Sequence, residues 1–337
     1  MPNTRTEISA PVSQLDKVAA EIPDPVLGVD REWLDFEESL GERPVLSGDI
    51  VSIRTQLAGL GSMVIAMRPS IYTNLSTEDT STDDGIGLRV YKPVVAGTSP
   101  LCIFFHGGGF CTGSLDSEDF VCRMICEKTS SIVVSIEYRL APEFPAPTSF
   151  DDSVSGAIWA IRNAQALGAD ISKIYIFGSS AGGTLALGVF LKLYDMGYKD
   201  VIRGIICISP TLFKTDEIPA KYRPQHKSCV RGLPMIDSEA MRTFYREYSV
   251  PSTDKYHFLV DNANLSVLPP IFIAATEIDP LRDDTLILKE TFDAAGVKYK
   301  FELYKGLPHI FWFIPLKNAS ALFENSVIGA VDFVLAV

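Results

Sequence analysis

Histidine is scarce in this chain, four in 337 residues, so any chemistry that needs an imidazole must be assigned among very few candidates. Basic charge is also short: 30 lysines and arginines face 42 aspartates and glutamates, a formal net charge of −12. A surface of that sign repels nucleic acid and anionic membranes, so neither is expected as a partner. No stretch approaches the roughly 18 uninterrupted apolar residues of a spanning helix, and Met1-Pro2-Asn3-Thr4-Arg5-Thr6-Glu7 lacks an apolar signal region. Stable membrane insertion is therefore not expected, and a cytoplasmic location is. In a reducing compartment Cys102, Cys111, Cys122, Cys126, Cys207 and Cys229 are expected to remain thiols, with Cys122 and Cys126 one helical turn apart as packing residues. Metal-ligand spacings and phosphate loops are missing, and Gly107 to Gly109 lacks the Gly-x-Gly-x-x-Gly pattern of a dinucleotide site. Neither a metal nor a cofactor is expected.

What the chain does have is apolar residues, 47% of the total, enough for a large core. Strand-like and helix-like stretches alternate, which predicts an α/β fold with a mostly parallel sheet and helices on both faces. Besides the strands that flank the motifs below, strands are expected at about 87–95, 132–137 and 202–209. Helices are expected at about 117–128, 148–167, 181–194, 283–295 and 319–335. Internal repeats and low-complexity tracts are absent.

The β-rich run Ile174-Tyr175-Ile176-Phe177 leads into Gly178-Ser179-Ser180-Ala181-Gly182 and then into the helix-forming Thr184-Leu185-Ala186-Leu187. Strand, sharp turn and helix in that order strain the central residue, require small neighbours and lift its side chain above the strand end. Ser180 is the candidate nucleophile; Ser179 is not centred between the glycines. A Gly-x-Ser-x-Gly match alone is weak, since ordinary glycine and serine usage produces one in about one chain in ten of this length. The second signal is His106-Gly107-Gly108-Gly109 after the apolar run Leu101-Cys102-Ile103-Phe104-Phe105. Consecutive glycines let backbone N–H groups aim at one point, as an oxyanion hole requires. Gly107, Gly108, Gly109 and the N–H of Ala181 are its candidate donors.

An acid and a histidine should follow the serine in chain order. The strand-like Ile271-Phe272-Ile273-Ala274-Ala275 runs into Thr276-Glu277-Ile278-Asp279-Pro280-Leu281-Arg282-Asp283-Asp284. Asp279 is the best-placed acid, just before a proline that ends the strand. Asp283 and Asp284 fall in the first turn of the next helix, where the helix dipole accounts for a carboxylate. Glu277 and Asp283 stay as alternatives. His106 belongs to the glycine loop, while His226 and His257 read as surface or cap residues. His309 follows the strand-like Lys300-Phe301-Glu302-Leu303-Tyr304 and the turn Lys305-Gly306-Leu307-Pro308, and is the expected general base.

These motifs together resemble the hormone-sensitive-lipase-like family of α/β-hydrolases, mostly carboxylesterases. Tyr138-Arg139-Leu140-Ala141-Pro142-Glu143-Phe144-Pro145-Ala146-Pro147, then Asp151-Asp152, and Asp279-Pro280-Leu281-Arg282-Asp283 add to the likeness, which runs from about residue 88 to the C-terminus. One position departs: the family often has Asp or Thr before the nucleophile, and Ser179 stands there. The resemblance implies the α/β-hydrolase fold as one domain over 1–337, with a helical cap formed by about 1–60 and an insertion at about 211–257. Within the first segment, Asp30 to Gly41 reads as a helix with an Asp cap and a Gly stop, Trp33, Phe36 and Leu40 on one face. The insertion carries Met241, Phe244, Tyr245 and Tyr248 at helical spacing, an apolar roof. Phe110, Phe213, Phe311, Trp312 and Phe313 are candidates for the pocket wall.

The expected activity is hydrolysis of carboxylic esters of a small or medium apolar substrate through an acyl-enzyme. Acyl transfer or lactone chemistry on the same triad is the alternative; amide hydrolysis and a non-hydrolytic small-molecule receptor rank below it, the receptor because His309 is present. The expected partner is a small-molecule ester, and an exposed edge strand leaves a homodimer open.

Overall fold

Apolar runs too continuous for one-sided burial form the middle of an eight-stranded sheet in the computed structural model, which describes residues 28–68, 71–95, 97–261 and 264–336. The strands are β1 (Leu75–Ser81), β2 (Gly87–Pro93), β3 (Ser99–Phe105), β4 (Ile132–Glu137), β5 (Ala169–Ser179), β6 (Ile202–Ile208), β7 (Ile271–Ile278) and β8 (Tyr299–Pro308). Their order across the sheet is β1-β2-β4-β3-β5-β6-β7-β8. β2 is antiparallel to both β1 and β4, and every pairing from β4 to β8 is parallel. This is the α/β architecture expected from the alternating pattern.

Successive side chains of a strand point to opposite faces, so a strand buried on both faces feeds two cores. Leu101, Ile103 and Phe105 enter one core with Ile174 and Ile176; Cys102 and Phe104 enter the other with Tyr175 and Phe177. The first core is closed by α4 (Thr148–Leu167), α5 (Ala181–Asp195) and α7 (Arg282–Ala295), the second by α1 (Arg31–Leu40), α3 (Asp119–Thr129) and α8 (Lys317–Leu335). The remaining α-helices among the described residues are α2 (Ile50–Met67) and α6 (Ser238–Tyr248). Cys122 and Cys126 are buried in α3, and all six cysteines are free thiols.

Two elements lay outside the sequence expectations. β1, Leu-Ser-Thr-Glu-Asp-Thr-Ser, has no apolar face; its residues are exposed apart from Leu75, and the ladder to β2 and the ion pair of Asp79 with Arg89 hold it at the sheet edge. α2 is apolar all round, so no stripe announces it, and of its 18 residues only Ile50, Ile53 and Val64 are buried. It is attached instead by polar contacts: Asp49 caps it by accepting from the Ser52 N–H at 2.8 Å, and Arg54 donates to the carbonyls of Cys111 and Ala141, each at 2.8 Å. Arg54 also forms a two-pronged pair with Glu143.

Of the segment 1–60 expected to join the cap, residues from 28 onward are described, and residues 1–27 lie outside the described region. α1 has the expected ends: Asp30 accepts from Glu32 N–H at 2.8 Å, and Gly41 donates to the Glu38 carbonyl at 3.1 Å. Trp33 and Phe36 are buried, Leu40 partly so. The N-terminal segment and the insertion meet where the Leu46 N–H donates to the Met235 carbonyl at 2.8 Å and the Met235 N–H to the Pro44 carbonyl at 2.6 Å. From the insertion, α6 turns Met241, Phe244, Tyr245 and Tyr248 inward.

Candidate active site

The end of β5 is where the sequence becomes restrictive. Ser180 has φ 54° and ψ −123°, outside the regular regions, and its N–H donates to the Ile208 carbonyl at 2.7 Å. Small residues are obligatory around it. A Cβ on Gly178 would collide with the Gly182 carbonyl, and one on Gly182 with the Phe105 carbonyl.

Ser180 Oγ lies 2.9 Å from His309 Nε2, and His309 Nδ1 lies 2.7 Å from Asp279 Oδ2. Asp279 also accepts from the Leu281 N–H at 2.8 Å and from the Thr276 hydroxyl, which fixes both of its oxygens. All three residues are buried. The rival acids are engaged elsewhere: Glu277 accepts from the Gly306 N–H at 2.7 Å, and Asp283 from the N–H groups of Lys227 and Ser228 at 2.5 and 2.6 Å.

In the glycine loop, Gly108 has φ 122°, and a Cβ there would strike the Thr112 carbonyl oxygen. Its own carbonyl accepts from the N–H groups of Cys111 and Thr112, at 3.1 and 2.9 Å, closing the loop into a tight turn. Among the described residues the N–H groups of Gly108, Gly109 and Ala181 donate to no protein acceptor. Gly107 departs from the expectation: its N–H is committed to Glu118 Oε2 at 2.7 Å and is not a free donor. His106 supports the loop from below. Its ring stacks on Tyr138 with centroids 4.2 Å apart, and Nδ1 faces the Gly107 carbonyl at 2.7 Å, so Nδ1 carries the proton. Burial pushes its pKa down to about 4, keeping the ring neutral.

Glu118 was not singled out by the sequence, because nothing in Ser114-Leu115-Asp116-Ser117-Glu118-Asp119 separates it from the two aspartates beside it. Folding does separate it: its carboxylate is buried and accepts from Gly107, from the Ser179 hydroxyl at 2.9 Å and from Trp312 Nε1 at 3.1 Å. The two remaining histidines are not surface residues. The His226 side chain is almost fully enclosed and bonds Asp284 through Nε2, while His257 is buried among Phe110, Tyr245, Tyr248 and Phe258. Burial lowers the His257 pKa to about 3.

Above Ser180 is a partly enclosed chamber of about 120 Å³. Leu46, Leu57, Ile236, Met241, Phe244 and Tyr245 roof it, and Phe110, Trp312 and Phe313 reach its wall. Phe213 and Phe311 do not. Phe213 packs on Tyr222 and His226 within the insertion, and Phe311 is buried against Tyr304 and Phe323. A second, open groove of about 1570 Å³ adjoins the chamber; Leu57, Thr112, Gly113, Glu118, Trp312 and Phe313 line both.

The α/β hydrolase fold family matches this chain over residues 102–313. The versiconal hemiacetal acetate esterase of Dothistroma septosporum is 35% identical over 312 residues, covering 91% of this chain and 95% of that one. Among solved structures, a hyperthermophilic esterase from the archaeon Pyrobaculum calidifontis superposes with a TM-score of 0.80 at 26% identity, covering 90% of this chain and 98% of the other. Vibralactone cyclase superposes with a TM-score of 0.82 at 25% identity, covering 93% and 96%.

Proposed function

Because this chain belongs to the α/β hydrolase fold family, as a carboxylesterase-type serine hydrolase of the hormone-sensitive-lipase-like kind, we propose that it removes short acyl groups from bulky alcohols, with Ser180 as nucleophile. Ser180 Oγ attacks the ester carbonyl and His309 Nε2 takes its proton across the 2.9 Å contact. Asp279 holds the imidazole through Nδ1 and stabilises its charged form. The developing oxyanion receives N–H bonds from Gly108, Gly109 and Ala181, each donor worth roughly 3 kcal/mol in the transition state. His309 then returns the proton to the leaving alcohol. Water, activated by the same imidazole, releases the acid from the acyl-enzyme.

The observation that carries the substrate class is the contrast in size between the chamber at Ser180 and the groove that adjoins it along Thr112, Gly113 and Trp312. An apolar chamber of about 120 Å³, roofed by the cap, suits a short acyl group; the groove of about 1570 Å³ suits a large leaving alcohol. The relative from Dothistroma septosporum, an acetate esterase by name, supports that division. The test is hydrolysis of p-nitrophenyl esters from acetate to palmitate by wild type and Ser180→Ala, followed by acetates of alcohols of increasing size. The reading expects turnover that depends on Ser180, is best with the shortest acyl chains and tolerates large alcohols. A chain-length optimum at palmitate would overturn the substrate class, and turnover that survives Ser180→Ala would overturn the nucleophile.

One observation favours a second reading, acyl transfer or lactone chemistry: the likeness to vibralactone cyclase combined with a roof that limits water at the acyl-enzyme. Product analysis with added alcohols and amines separates it from hydrolysis.

A further inference from the structure

Glu118 stands immediately before α3, yet its side chain makes no capping bond to that helix. It turns instead into the protein, where no lysine, arginine or histidine pairs with it among the described residues. Three neutral donors converge on it. Oε2 accepts from the Gly107 N–H at 2.7 Å, Oε1 from Trp312 Nε1 at 3.1 Å, and the Ser179 hydroxyl lies 2.9 Å from both oxygens. Burial raises the carboxyl above its ordinary range, and these bonds, with the nearby His309 imidazole when charged, oppose the rise without cancelling it.

An uncompensated buried acid is costly unless its bonds do something a neutral side chain cannot. A carboxylate is acceptor-only, with room for all three donors, whereas an amide would turn its own NH₂ toward one of them. The donors also have a common meaning. Gly107 precedes the two N–H groups aimed at the oxyanion, and Ser179 precedes Ser180. Trp312 packs edge-on against the His309 ring, with centroids 5.8 Å apart. The three segments that carry the three parts of the machinery are thus tied to one side chain.

The departure at position 179 belongs to the same arrangement. The family often has Asp or Thr there; this chain has a serine, whose hydroxyl bonds the Glu118 carboxylate on the opposite side of the loop. The loop and the turn touch: a Cβ on Gly107 would lie 3.3 Å from Ser179 Oγ and 3.3 Å from Ser180 Cβ.

We propose that Glu118 is the positioning residue of this active site, its carboxylate fixing the oxyanion loop, the nucleophile turn and the His309 loop relative to one another, with Ser179 as the relay to the nucleophile turn. The inference rests on the Ser180, His309 and Asp279 reading given above. It requires that the charge act by location and not by residue identity, so an aspartate at 179 should replace Glu118 in part.

The test measures kcat and KM on a short p-nitrophenyl ester per active site, sites being counted by fluorophosphonate titration so that unfolded protein drops out. Glu118→Gln is expected to lower kcat roughly 10- to 100-fold with KM within about threefold, the scale of a misplaced oxyanion donor. Glu118→Gln with Ser179→Asp is expected to recover at least about a third of the lost factor on a logarithmic scale. Should Glu118→Gln not fold, Ser179→Ala and Trp312→Phe each remove one donor and should each lower kcat roughly three- to tenfold. A Glu118→Gln enzyme with kcat per site within twofold of wild type overturns the proposal. So does a double variant that regains thermal stability without regaining kcat, and so do donor variants that leave kcat unchanged. Turnover that survives Ser180→Ala removes the underlying reading and the inference with it, an outcome distinct from these.

Discussion

Ser180 is held at φ 54° by its surroundings, and residues in such regions cost on the order of 1–3 kcal/mol, which β5 and α5 on either side of the turn must offset. The glycine loop shows the same dependence on a missing side chain. At Gly108 both the positive φ and the Thr112 carbonyl exclude a Cβ, so Gly108→Ala must move the loop. That shift displaces the N–H groups of Gly108 and Gly109 together. The expected result is a fall in kcat of roughly 100-fold or more, the size found when an oxyanion donor is lost, with KM little changed. Steady-state kinetics per titrated site checks it, and an unchanged kcat would show that the loop does not serve the oxyanion. Ser180, Asp279 and His309 were legible in the sequence because each follows its own strand-like run and because histidines are few. Glu118 was not, since its meaning arises only when residues 107, 179 and 312 converge, and no local pattern records that convergence. Gly107 was misread for the same reason: a glycine in a loop gives no sign of where its N–H is already committed.

Among elements, α6 sets the chamber and the first turn of α7 anchors the insertion. Phe244 on α6 lies directly over Gly109, where a Cβ would run into its ring. Phe244→Ala opens the roof, so the acyl optimum should shift to longer chains in the p-nitrophenyl series, at a stability loss of about 3 kcal/mol for a buried phenylalanine. An unchanged chain-length profile would remove Phe244 from the acyl wall. The anchor is the His226 and Asp284 pair, both side chains enclosed, with Asp284 also accepting from the Leu212 N–H at 2.6 Å. Burial disfavours the charged imidazole, but the bond and charge of Asp284 outweigh it and raise His226 above its ordinary 6.5; burial likewise raises the Asp284 carboxyl. A raised folded-state pKa stabilises fully below the unfolded value and is lost as pH rises through the folded one. The stability gap between wild type and His226→Gln is therefore expected to be about 3 kcal/mol near pH 5–6 and to shrink toward pH 9, as read by denaturant unfolding. A gap that widens with pH would contradict the pairing. Elements with an apolar period were legible, α4 at 148–167 to the residue. β1 and α2 were not, because one has no apolar face and the other spreads its few polar residues without a regular stripe.

On the scale of the whole molecule, the sheet with its two cores and the cap that roofs Ser180 are built differently. The sheet is continuous, each strand from β2 to β7 paired on both sides, and its central side chains are completely buried. The cap adds apolar residues of its own to the first core, Leu46, Met241, Phe244 and Tyr248 among them, and polar ties join it at the margins, Arg54 to Glu143, Cys111 and Ala141, and His226 to Asp284. Elements that roof a binding site outside the ladders of the sheet open at lower free energy than core strands, so the cap should open while the sheet stays closed. The six free thiols are distributed so as to report this. Cys229 is half-buried in the insertion and Cys111 lies under α6, donating to the Phe244 carbonyl, whereas Cys102, Cys122, Cys126 and Cys207 belong to the sheet and its helices. Burial pushes the Cys229 and Cys111 thiols up to about 12, so both need an opening event before they react. Alkylation of the native protein followed by peptide mass spectrometry is expected to label Cys229 first and Cys111 next. The other four should react only at the rate of global unfolding. Six cysteines labelled at one common rate would mean that cap and sheet unfold as a unit, and substrate would then have to enter through the groove without the cap moving.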